Sequence, residues 1–288
     1  MSKKVSRRSF IKRFLGTVLT AIGLSAGGYA YAGKIEPNLL KINKYRIPHP
    51  DFPAGFKSLK IVQFSDTHLG FQYTLQQLQE LIVEINNQKP DILFFTGDLL
   101  DEPNKYGEFE RTISILKELE APLGKYAVYG NHDHGGYGTD IYKNIMEESG
   151  FIVMLNESIK ISNDEDAIYL LGIDDAMLGR PDIREAISNV PDNAYKILLS
   201  HAPDLADSAS NFNIQLQLSG HSHGGQIQIP FLGALVKPPY GEKYYEGFYT
   251  IGEPFPLTLY VNRGLGTTRL PFRFLSPPEL TVFTLTRE

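Results

Sequence analysis

The sequence contains no cysteine among its 288 residues. This absence excludes a disulfide framework, a zinc site built from thiolates and a cysteine nucleophile. Any catalytic chemistry must therefore come from oxygen and nitrogen groups, such as carboxylates and imidazoles.

Acidic residues are also missing from the first 32 positions, which hold six of the 28 basic residues. The remaining chain consequently has a formal net charge of −11. A body this acidic disfavours general electrostatic attraction to nucleic acid, so no nucleic-acid partner is expected. Residues 220–288 are less acidic, with six basic and five acidic residues, and are the natural place for groups that meet an anionic substrate.

The N-terminus has the pattern of an export signal. A basic segment, Ser6-Arg7-Arg8-Ser9-Phe10-Ile11-Lys12, precedes an apolar run that ends at Ala30-Tyr31-Ala32. The adjacent arginines resemble the twin-arginine signal, so residues 1–32 are predicted to be a signal peptide read by the twin-arginine translocase. The alternatives are an uncleaved membrane anchor and a cytoplasmic protein with a chance match to the signal. The protein is expected to be exported to the cell wall, the extracellular space or the outer face of the cytoplasmic membrane.

The rest of the chain is predicted to form one α/β domain. Residues 33–55 are polar and rich in proline, which indicates a linker with one edge strand at Lys41–Ile47. From residue 56 to 288, strands alternate with amphipathic helices until Gly224, and a strand-rich tail follows. Helices are predicted at 75–85, 109–119 and 141–148, and strands at 59–64, 91–96, 126–129, 168–173, 195–200, 214–219, 226–229, 247–251, 257–261 and 281–285.

Five short motifs follow predicted strands, and they contain five of the seven histidines. They are Asp66-Thr67-His68, Gly97-Asp98, Gly130-Asn131-His132-Asp133, His201 and Gly220-His221-Ser222-His223. Ligand sites in open α/β sheets lie beyond the carboxyl ends of the strands, so this placement suits a site. Each motif alone is weak, since a lone histidine such as His201 is more often a core residue than a ligand. Their ordered combination is specific.

The residue types in these motifs favour a metal centre. Imidazoles and carboxylates without thiolates suit Mn, Fe or Zn in an open catalytic site. The set supplies more ligands than one such ion usually takes from protein, whereas two divalent ions that share a bridging carboxylate would use them all. Two ions about 3.5–4 Å apart can hold both the nucleophile and the phosphoryl oxygens of an in-line displacement.

The motifs resemble the pattern of the calcineurin-like metallophosphoesterase superfamily over roughly residues 59–285. This resemblance implies a sandwich of two sheets flanked by helices, and hydrolysis of a phosphate ester by a metal-bound hydroxide. It also implies the ligand sets. By this resemblance, the ligands of one ion are Asp66, His68, Asp98 and His223. Asp98 bridges to the second ion, whose other ligands are Asn131, His201 and His221.

Details of the motifs narrow the resemblance. Protein Ser/Thr phosphatases of this superfamily carry Arg in G-D-x-x-D-R-G, whereas this chain has Glu102 after Asp101. The tail segments Gly224–Ile227, Pro230–Gly233 and Val261–Gly266 instead resemble the small bacterial phosphodiesterases of the YkuE and YaeI type. Relatives in this broader group act on nucleotide-linked lipid sugars. The expected partner is therefore a phosphate ester of the cell envelope, either a lipid or a polymer.

The histidine of Gly130-Asn131-His132 is the expected catalytic residue. A leaving alkoxide needs a proton, and a histidine beside a ligand can supply it; the resemblance implies the same role for His132. Asp133 either orients His132 or only fills the acidic position of the motif, and the second interpretation is preferred. His134 lies outside the pattern and is expected to be an exposed loop residue, with substrate contact as the alternative.

The loop from Asn262 to Arg273 leaves two questions open. Arg263, Arg269 and Arg273 either bind a second phosphate or the charge of the transition state, or pair with surface carboxylates. Phe272, Phe274 and Leu275 are expected in the core, with a lipid-facing entrance as the alternative. The sequence thus predicts a two-metal phosphodiesterase or pyrophosphohydrolase. A metal-binding scaffold of the same fold without significant catalysis remains the alternative function.

Overall fold

The structure is a computed structural model that describes residues 7–134, 139–163, 166–253 and 255–287. Within these ranges the helices and strands alternate first and the strands then dominate. The helices are α1 Arg7–Ala30, α2 Leu75–Gln88, α3 Phe109–Leu116, α4 Asn131–His134, α5 Thr139–Glu148, α6 Ile183–Ile187 and α7 Ala206–Ala209. The strands are β1 Lys41–Pro48, β2 Ser58–Phe64, β3 Ile92–Phe95, β4 Lys125–Ala127, β5 Ile152–Val153, β6 Glu157–Asn163, β7 Asp166–Gly172, β8 Tyr195–Leu199, β9 Leu216–Ser219, β10 Gln228–Ile229, β11 Gly233–Ala234, β12 Gly247–Ile251, β13 Leu257–Val261 and β14 Glu279–Thr286.

Two six-stranded sheets form the centre of the molecule. The first has the order β1-β14-β2-β3-β4-β5, and the second has the order β12-β13-β9-β8-β7-β6. Strands β2 to β5 are parallel, as are β7, β8, β9 and β13. Because parallel strands end at the same edge of a sheet, the loops after β2, β3, β4, β8 and β9 are free to meet at one edge of the sandwich.

Three apolar clusters make the sheets into a layered structure. The cluster between the sheets combines side chains such as Ile61 and Phe94 of the first sheet with Ile197 and Leu218 of the second. A second cluster joins the outer face of the first sheet to α2, α3 and α5, and a third joins the second sheet to α6 and α7. The predicted α/β sandwich of two sheets flanked by helices is therefore confirmed.

The central strands are apolar on both faces because both faces are covered. In β2, Ile61 faces the inter-sheet cluster, whereas Val62 and Phe64 face the helices. A strand in this position appears in the sequence as a continuous apolar run rather than an alternating one. The edge strand predicted at Lys41–Ile47 is present as β1, which pairs in parallel with β14.

The sequence-based prediction missed the strands β5, β6 and β11 and the helices α1, α4, α6 and α7. Strand β6 lies at an edge of the second sheet and reads Glu-Ser-Ile-Lys-Ile-Ser-Asn, with most side chains at least partly exposed. Such a strand has too few apolar residues to be recognised by hydrophobic periodicity. Among the described residues, no helix combines the length and the apolar character that crossing a membrane requires.

Candidate metal centre

The structure brings all eight predicted site residues to one edge of the sandwich. Asp66 and His68 follow β2, Asp98 follows β3, and Asn131 and His132 open α4 directly after the β4 loop. The second sheet supplies His201 after β8 and two histidines after β9, His221 and His223. The two sheets therefore contribute to a single site, as the placement of the motifs at strand ends predicts.

Backbone strain is concentrated in the same residues. Asp66, His68, Asp98, His221 and His223 all have positive φ values, between 46° and 73°. Non-glycine residues seldom adopt this left-handed conformation, which costs about 1–3 kcal/mol at each position and clusters at functional sites. The fold accepts this cost where it turns the side chains towards one another.

The first group of candidate ligands is Asp66, His68 and His223. The Nε2 atoms of His68 and His223 lie 3.0 Å apart, and His223 Nε2 lies 3.4 Å from Asp66 Oδ1. All three residues are buried. Two imidazole nitrogens and a carboxylate oxygen that converge in this way form a donor set suited to a divalent transition metal.

The second group is Asp98, His201 and His221. His201 Nε2 lies 3.1 Å from His221 Nδ1 and 3.3 Å from Asp98 Oδ2. The same Oδ2 atom lies 3.5 Å from His68 Nε2 in the first group. One carboxylate oxygen of Asp98 therefore faces both groups, which is the geometry expected of a bridging ligand.

The distal ring nitrogens of the second group are fixed by backbone carbonyls. His201 Nδ1 lies 2.6 Å from the carbonyl oxygen of Thr96, and His221 Nε2 lies 2.8 Å from that of Pro239. Donation to a carbonyl places the proton on the distal nitrogen and leaves the facing nitrogen as a free donor atom for a metal. His68 Nδ1 lies 3.3 Å from a carboxylate oxygen of Asp101, within ion-pair distance, but it makes no hydrogen bond that fixes the ring in the same way.

A test of whether the site suits metal ions comes from Asn131. Its Oδ1 atom is buried and has no hydrogen-bond partner in the protein. Leaving a buried acceptor unpaired costs about 1–3 kcal/mol, unless a ligand or an ion satisfies it. The residues present therefore fit a metal centre, because an amide oxygen at the rim of the second group is available as a further ligand.

The glycines of the motifs are required by close contacts. A Cβ atom at Gly130 would lie 2.2 Å from Asp98 Oδ1, and one at Gly220 would lie 2.3 Å from Asp66 Oδ2. Both distances are far below van der Waals contact. Only glycine at these positions lets the loops of the two sheets approach the carboxylates.

The electrostatics of the site favour positive charge. Burial lowers the pKa of His201, but Asp98 and Asp66 outweigh this effect and raise it to about 10. Burial raises the pKa of Asp98, but His201 and His132 hold it well below its usual range. Burial together with the charge of His201 lowers the pKa of His221 to about 3. An ionised Asp98 beside a neutral His221 suits a divalent cation, whereas burial raises the pKa of Asp66, and His201 would have to lose its proton when an ion binds.

His132 lies at the rim of this centre rather than among the buried ligands. Its backbone N–H donates to Asp98 Oδ1 over 2.8 Å, and its Nδ1 lies 2.7 Å from the carbonyl oxygen of Asp101. The side chain is 25 % exposed. Although burial lowers the pKa of His132, Asp98 and the Asp101 carbonyl raise it overall. A group with His68, Asp98 and His132 could also hold an ion, so the role of proton donor stays a prediction.

Asp133 does not orient His132. Its carboxylate accepts hydrogen bonds from the backbone N–H groups of Asp98, Leu99 and Gly130 over 2.7–3.0 Å. It therefore ties the loop after β3 to the loop after β4, which supports the preferred interpretation that it has no catalytic contact. The group that orients His132 is Asp101, which sequence reasoning missed, although its place in the Gly97–Glu102 segment was the available signal.

His134 is not the exposed loop residue that was expected. It ends α4, its side chain is 14 % exposed, and its Nε2 lies 2.5 Å from Asp174 Oδ1. Its ring also stacks on Tyr129 at 4.9 Å. The helix carries the side chain inward, where the acidic loop after β7 compensates its charge.

The three arginines differ in what they contact. Arg263 donates from Nε to Glu279 over 2.7 Å, and this carboxylate is buried rather than on the surface. Arg273 is fully buried, donates to three backbone carbonyls and lies 3.3 Å from His223 Nδ1. Only Arg269 is exposed and lines the cavity in front of the centre. Of the three, it is the one placed to meet substrate.

The expected core position of Phe272, Phe274 and Leu275 is wrong. Leu275 is exposed, and the two phenylalanines are half-buried against the N-terminal segment, where they contact Tyr29 and Tyr31. Because the loop carries them to the surface beside α1, they are not enclosed between the sheets.

A cavity of about 210 Å³ opens in front of the metal centre. Asp98, Asn131 and His132 contribute to its polar end, together with His221 and His223. Its other walls are mainly apolar and are formed by Met177, Ile227, Leu235, Val236, Pro238 and Leu270. The cavity therefore offers a polar end for a phosphate group and an apolar passage leading to it.

Comparison with known proteins agrees with this geometry. Residues 59–225 match the model of the calcineurin-like phosphoesterase family. The chain is 47% identical to the metallophosphoesterase YkuE of Bacillus subtilis, over 98% of each protein. It is 30% identical to the UDP-2,3-diacylglucosamine pyrophosphatase LpxG of Chlamydia trachomatis (92% of this chain, 94% of that protein) and 27% identical to phosphodiesterase YaeI of Escherichia coli (98% and 99%). The chain thus belongs to the calcineurin-like phosphoesterase family and is a hydrolase of phosphoric ester bonds.

Proposed function

We propose that this hydrolase is a dinuclear phosphodiesterase or pyrophosphohydrolase that acts on a phosphate ester of the cell envelope. Asp66, His68 and His223 would hold one divalent ion, and Asn131, His201 and His221 the other, with Asp98 bridging. The observation that carries the proposal is the shared position of Asp98 Oδ2, within 3.5 Å of His68 Nε2 and 3.3 Å of His201 Nε2. The donor set suits Mn, Zn or Fe.

Divalent ions bound there would lower the pKa of coordinated water and screen the charge of the phosphate ester. The protein's own part is to position the reacting groups and to supply a proton. With Nδ1 held against the Asp101 carbonyl, His132 can present Nε2 towards the cavity. It would donate the proton that the leaving oxygen needs. The hydrogen bond from the backbone N–H of His132 to Asp98 holds this proton donor at a fixed position beside the bridging carboxylate.

The alternative is a scaffold that binds metal without significant catalysis. The complete ligand set and the retained His132 favour the enzyme. Purified protein loaded with Mn²⁺ should hydrolyse a chromogenic phosphodiester, and Asp98→Asn should abolish turnover. A protein that binds two ions yet turns over neither a monoester nor a diester would support the scaffold.

We also propose that the substrate is met outside the cytoplasmic membrane. Support comes from the paired arginines Arg7 and Arg8, the absence of acid in residues 1–32, and the lipid-linked nucleotide in the name of the LpxG relative. Export of a folded protein by the twin-arginine translocase would allow the metals to be captured before export. Fractionation of host cells with an antibody should place the protein in the cell wall, in the medium or on the outer face of the membrane.

A further inference from the structure

Exposed apolar side chains lie along one wall of the cavity and on the β10–β11 hairpin that continues from this wall. We call them the apolar rim. Two of them, Phe231 and Leu232, form the tip of the β10–β11 hairpin, where Phe231 is fully exposed and Leu232 is 79% exposed. The others line the cavity or its edge, and the complete set is Phe231, Leu232, Leu235, Val236 and Leu270.

The hairpin tip is built in a way that local stability does not explain. The N–H of Leu232 donates to the carbonyl of Ile229 over 3.0 Å, which closes a β-turn with Pro230 and Phe231 at its centre. Phe231 has a φ of +69°, the value of the third residue of a type II turn, where glycine is strongly favoured. An aromatic residue is strained there. The sequence thus places a large apolar side chain at a point where both the backbone and solvation oppose it.

The N-terminal helix leaves the domain next to this hairpin. The backbone N–H of Arg273 donates to the carbonyl of Ala32, and Tyr29 contacts Phe272 with ring centroids 5.0 Å apart. The neighbouring Phe274 exchanges backbone hydrogen bonds with Gln226 and Gln228 at the base of the hairpin. The end of α1, the loop 272–274 and the hairpin therefore form one continuous surface.

Where residues 1–32 are retained as the uncleaved anchor, the charge of α1 indicates what this surface meets. The helix contains Arg7, Arg8, Lys12 and Arg13 and no acidic residue, and Phe10 and Phe14 on it are exposed. Cationic and apolar side chains together bind anionic phospholipid surfaces, through electrostatic attraction and insertion between the headgroups. Arg269 adds an exposed cation at the rim itself. A convex tip of two residues can enter a bilayer surface without a preformed groove.

We propose that the apolar rim docks on the surface of an anionic phospholipid bilayer, so that the cavity opens towards the lipid headgroups. An amphiphilic phosphoester could then enter with its phosphate at the metal centre and its acyl chain along Ile227, Leu235 and Val236. The substrate class that follows is a membrane-resident lipid phosphoester. This second part rests on the proposed function, whereas the docking itself does not.

Docking is tested by fluorescence, because the chain contains no tryptophan. Phe231→Trp places the only tryptophan of the chain at the hairpin tip, so its emission reports the surroundings of the tip and not membrane binding by α1. The matched control is Phe255→Trp. Phe255 is also exposed, and it lies just before the start of β13. Because β13 runs parallel to β9, its end is near the site and its start is at the opposite edge of the sheet.

The full-length variants are mixed with vesicles of phosphatidylcholine and phosphatidylglycerol that carry brominated acyl chains. The Phe231→Trp emission should shift to the blue and be quenched, while that of Phe255→Trp should not change. No shift for Phe231→Trp, or an equal shift in both, would overturn the proposal. If the Phe231→Trp emission is already shifted to the blue without vesicles and the protein is a dimer in solution, the apolar rim contacts a second copy of the chain. This result would also overturn the proposal.

A kinetic comparison tests whether docking serves the reaction. Phe231→Gly removes the apolar tip and should relax the turn, so misfolding cannot explain its effect; Phe255→Gly is its control. Hydrolysis of a fluorogenic lipid phosphodiester in the same vesicles should fall about tenfold, as expected from the loss of one buried aromatic side chain. Hydrolysis of a soluble nitrophenyl diester should not change. Equal loss on both substrates, or no loss on the lipid, contradicts the proposal. Wild-type protein inactive on both would defeat the proposed function, but the fluorescence result would still decide the docking.

Discussion

The role of His132 leads to a prediction in which the size of the effect depends on the leaving group. His132→Ala removes an imidazole that is 25 % exposed at the cavity rim, but keeps the backbone N–H that donates to Asp98. A poor alkoxide leaving group needs a proton, so its hydrolysis should slow by about 10²–10⁴-fold, the usual contribution of general acid catalysis. This corresponds to about 3–5.5 kcal/mol of transition-state stabilisation. A nitrophenolate leaves almost unaided, and its release should slow by less than about tenfold.

The assay is a pair of kcat/KM measurements on the same variant, with an alkyl and a nitrophenyl phosphodiester, together with the metal content. His49→Ala is the control. His49 follows the end of β1, which runs parallel to β14, and β14 runs antiparallel to β2. Strand β1 therefore ends where β2 begins, and His49 lies at the edge of the sheet opposite the site. Equal defects on both substrates would indicate that His132 binds phosphate instead. Loss of metal would make His132 a ligand with His68 and Asp98, and would refute the reasoning.

Three further predictions follow from individual contacts. Burial raises the pKa of Asp133 to about 7, so the effect of Asp133→Asn is measured above that pH, where the carboxylate is ionised. There the substitution should lower the free energy of unfolding by about 1–3 kcal/mol, because an amide cannot accept all three backbone N–H groups. Denaturant titration checks this, with the exposed Asp140→Asn as control. Burial lowers the pKa of His134, but Asp174 raises it overall, so the folded state binds the proton more tightly than the unfolded state. The stabilisation by the His134–Asp174 ion pair should be complete below pH about 6.5 and be lost as the pH rises through the raised pKa. The difference in unfolding free energy between wild type and His134→Gln should therefore shrink over this pH range. A difference that stays constant or grows would contradict the ion pair. Replacing Arg7 and Arg8 with Lys should leave an active precursor in the cytoplasm, and unchanged export in a fractionation experiment would favour a general secretory route.

The sequence predicted the central strands because each is a buried apolar run followed directly by its motif. Asp66 and Asp98 lie within three residues of the ends of β2 and β3, so their shared edge could be inferred from strand order alone. Strand β6 was missed because its edge position leaves it polar. A polar edge strand of this kind is held by its hydrogen bonds to the neighbouring strand, and hydrophobic periodicity carries no information about that pairing.

Contacts between distant segments could not be predicted in the same way. His221 is oriented by the carbonyl of Pro239, and His132 by that of Asp101, although neither carbonyl has a signature in the sequence. For Arg273 the sequence left open a phosphate contact and a pairing with a surface carboxylate, but in the fold its guanidinium is buried among carbonyls behind His223. The residue type identified a cation, and only the fold shows what surrounds it.

The central claim is that two ions share Asp98, and counting the ions tests it most directly. Native mass spectrometry of Mn²⁺-loaded protein should show two ions per wild-type chain. Asp98→Asn should hold fewer ions and have no measurable turnover, because it removes the one oxygen that faces both ligand groups. A wild-type chain that binds a single ion, or an Asp98→Asn variant that keeps two ions and near-normal turnover, would contradict the account.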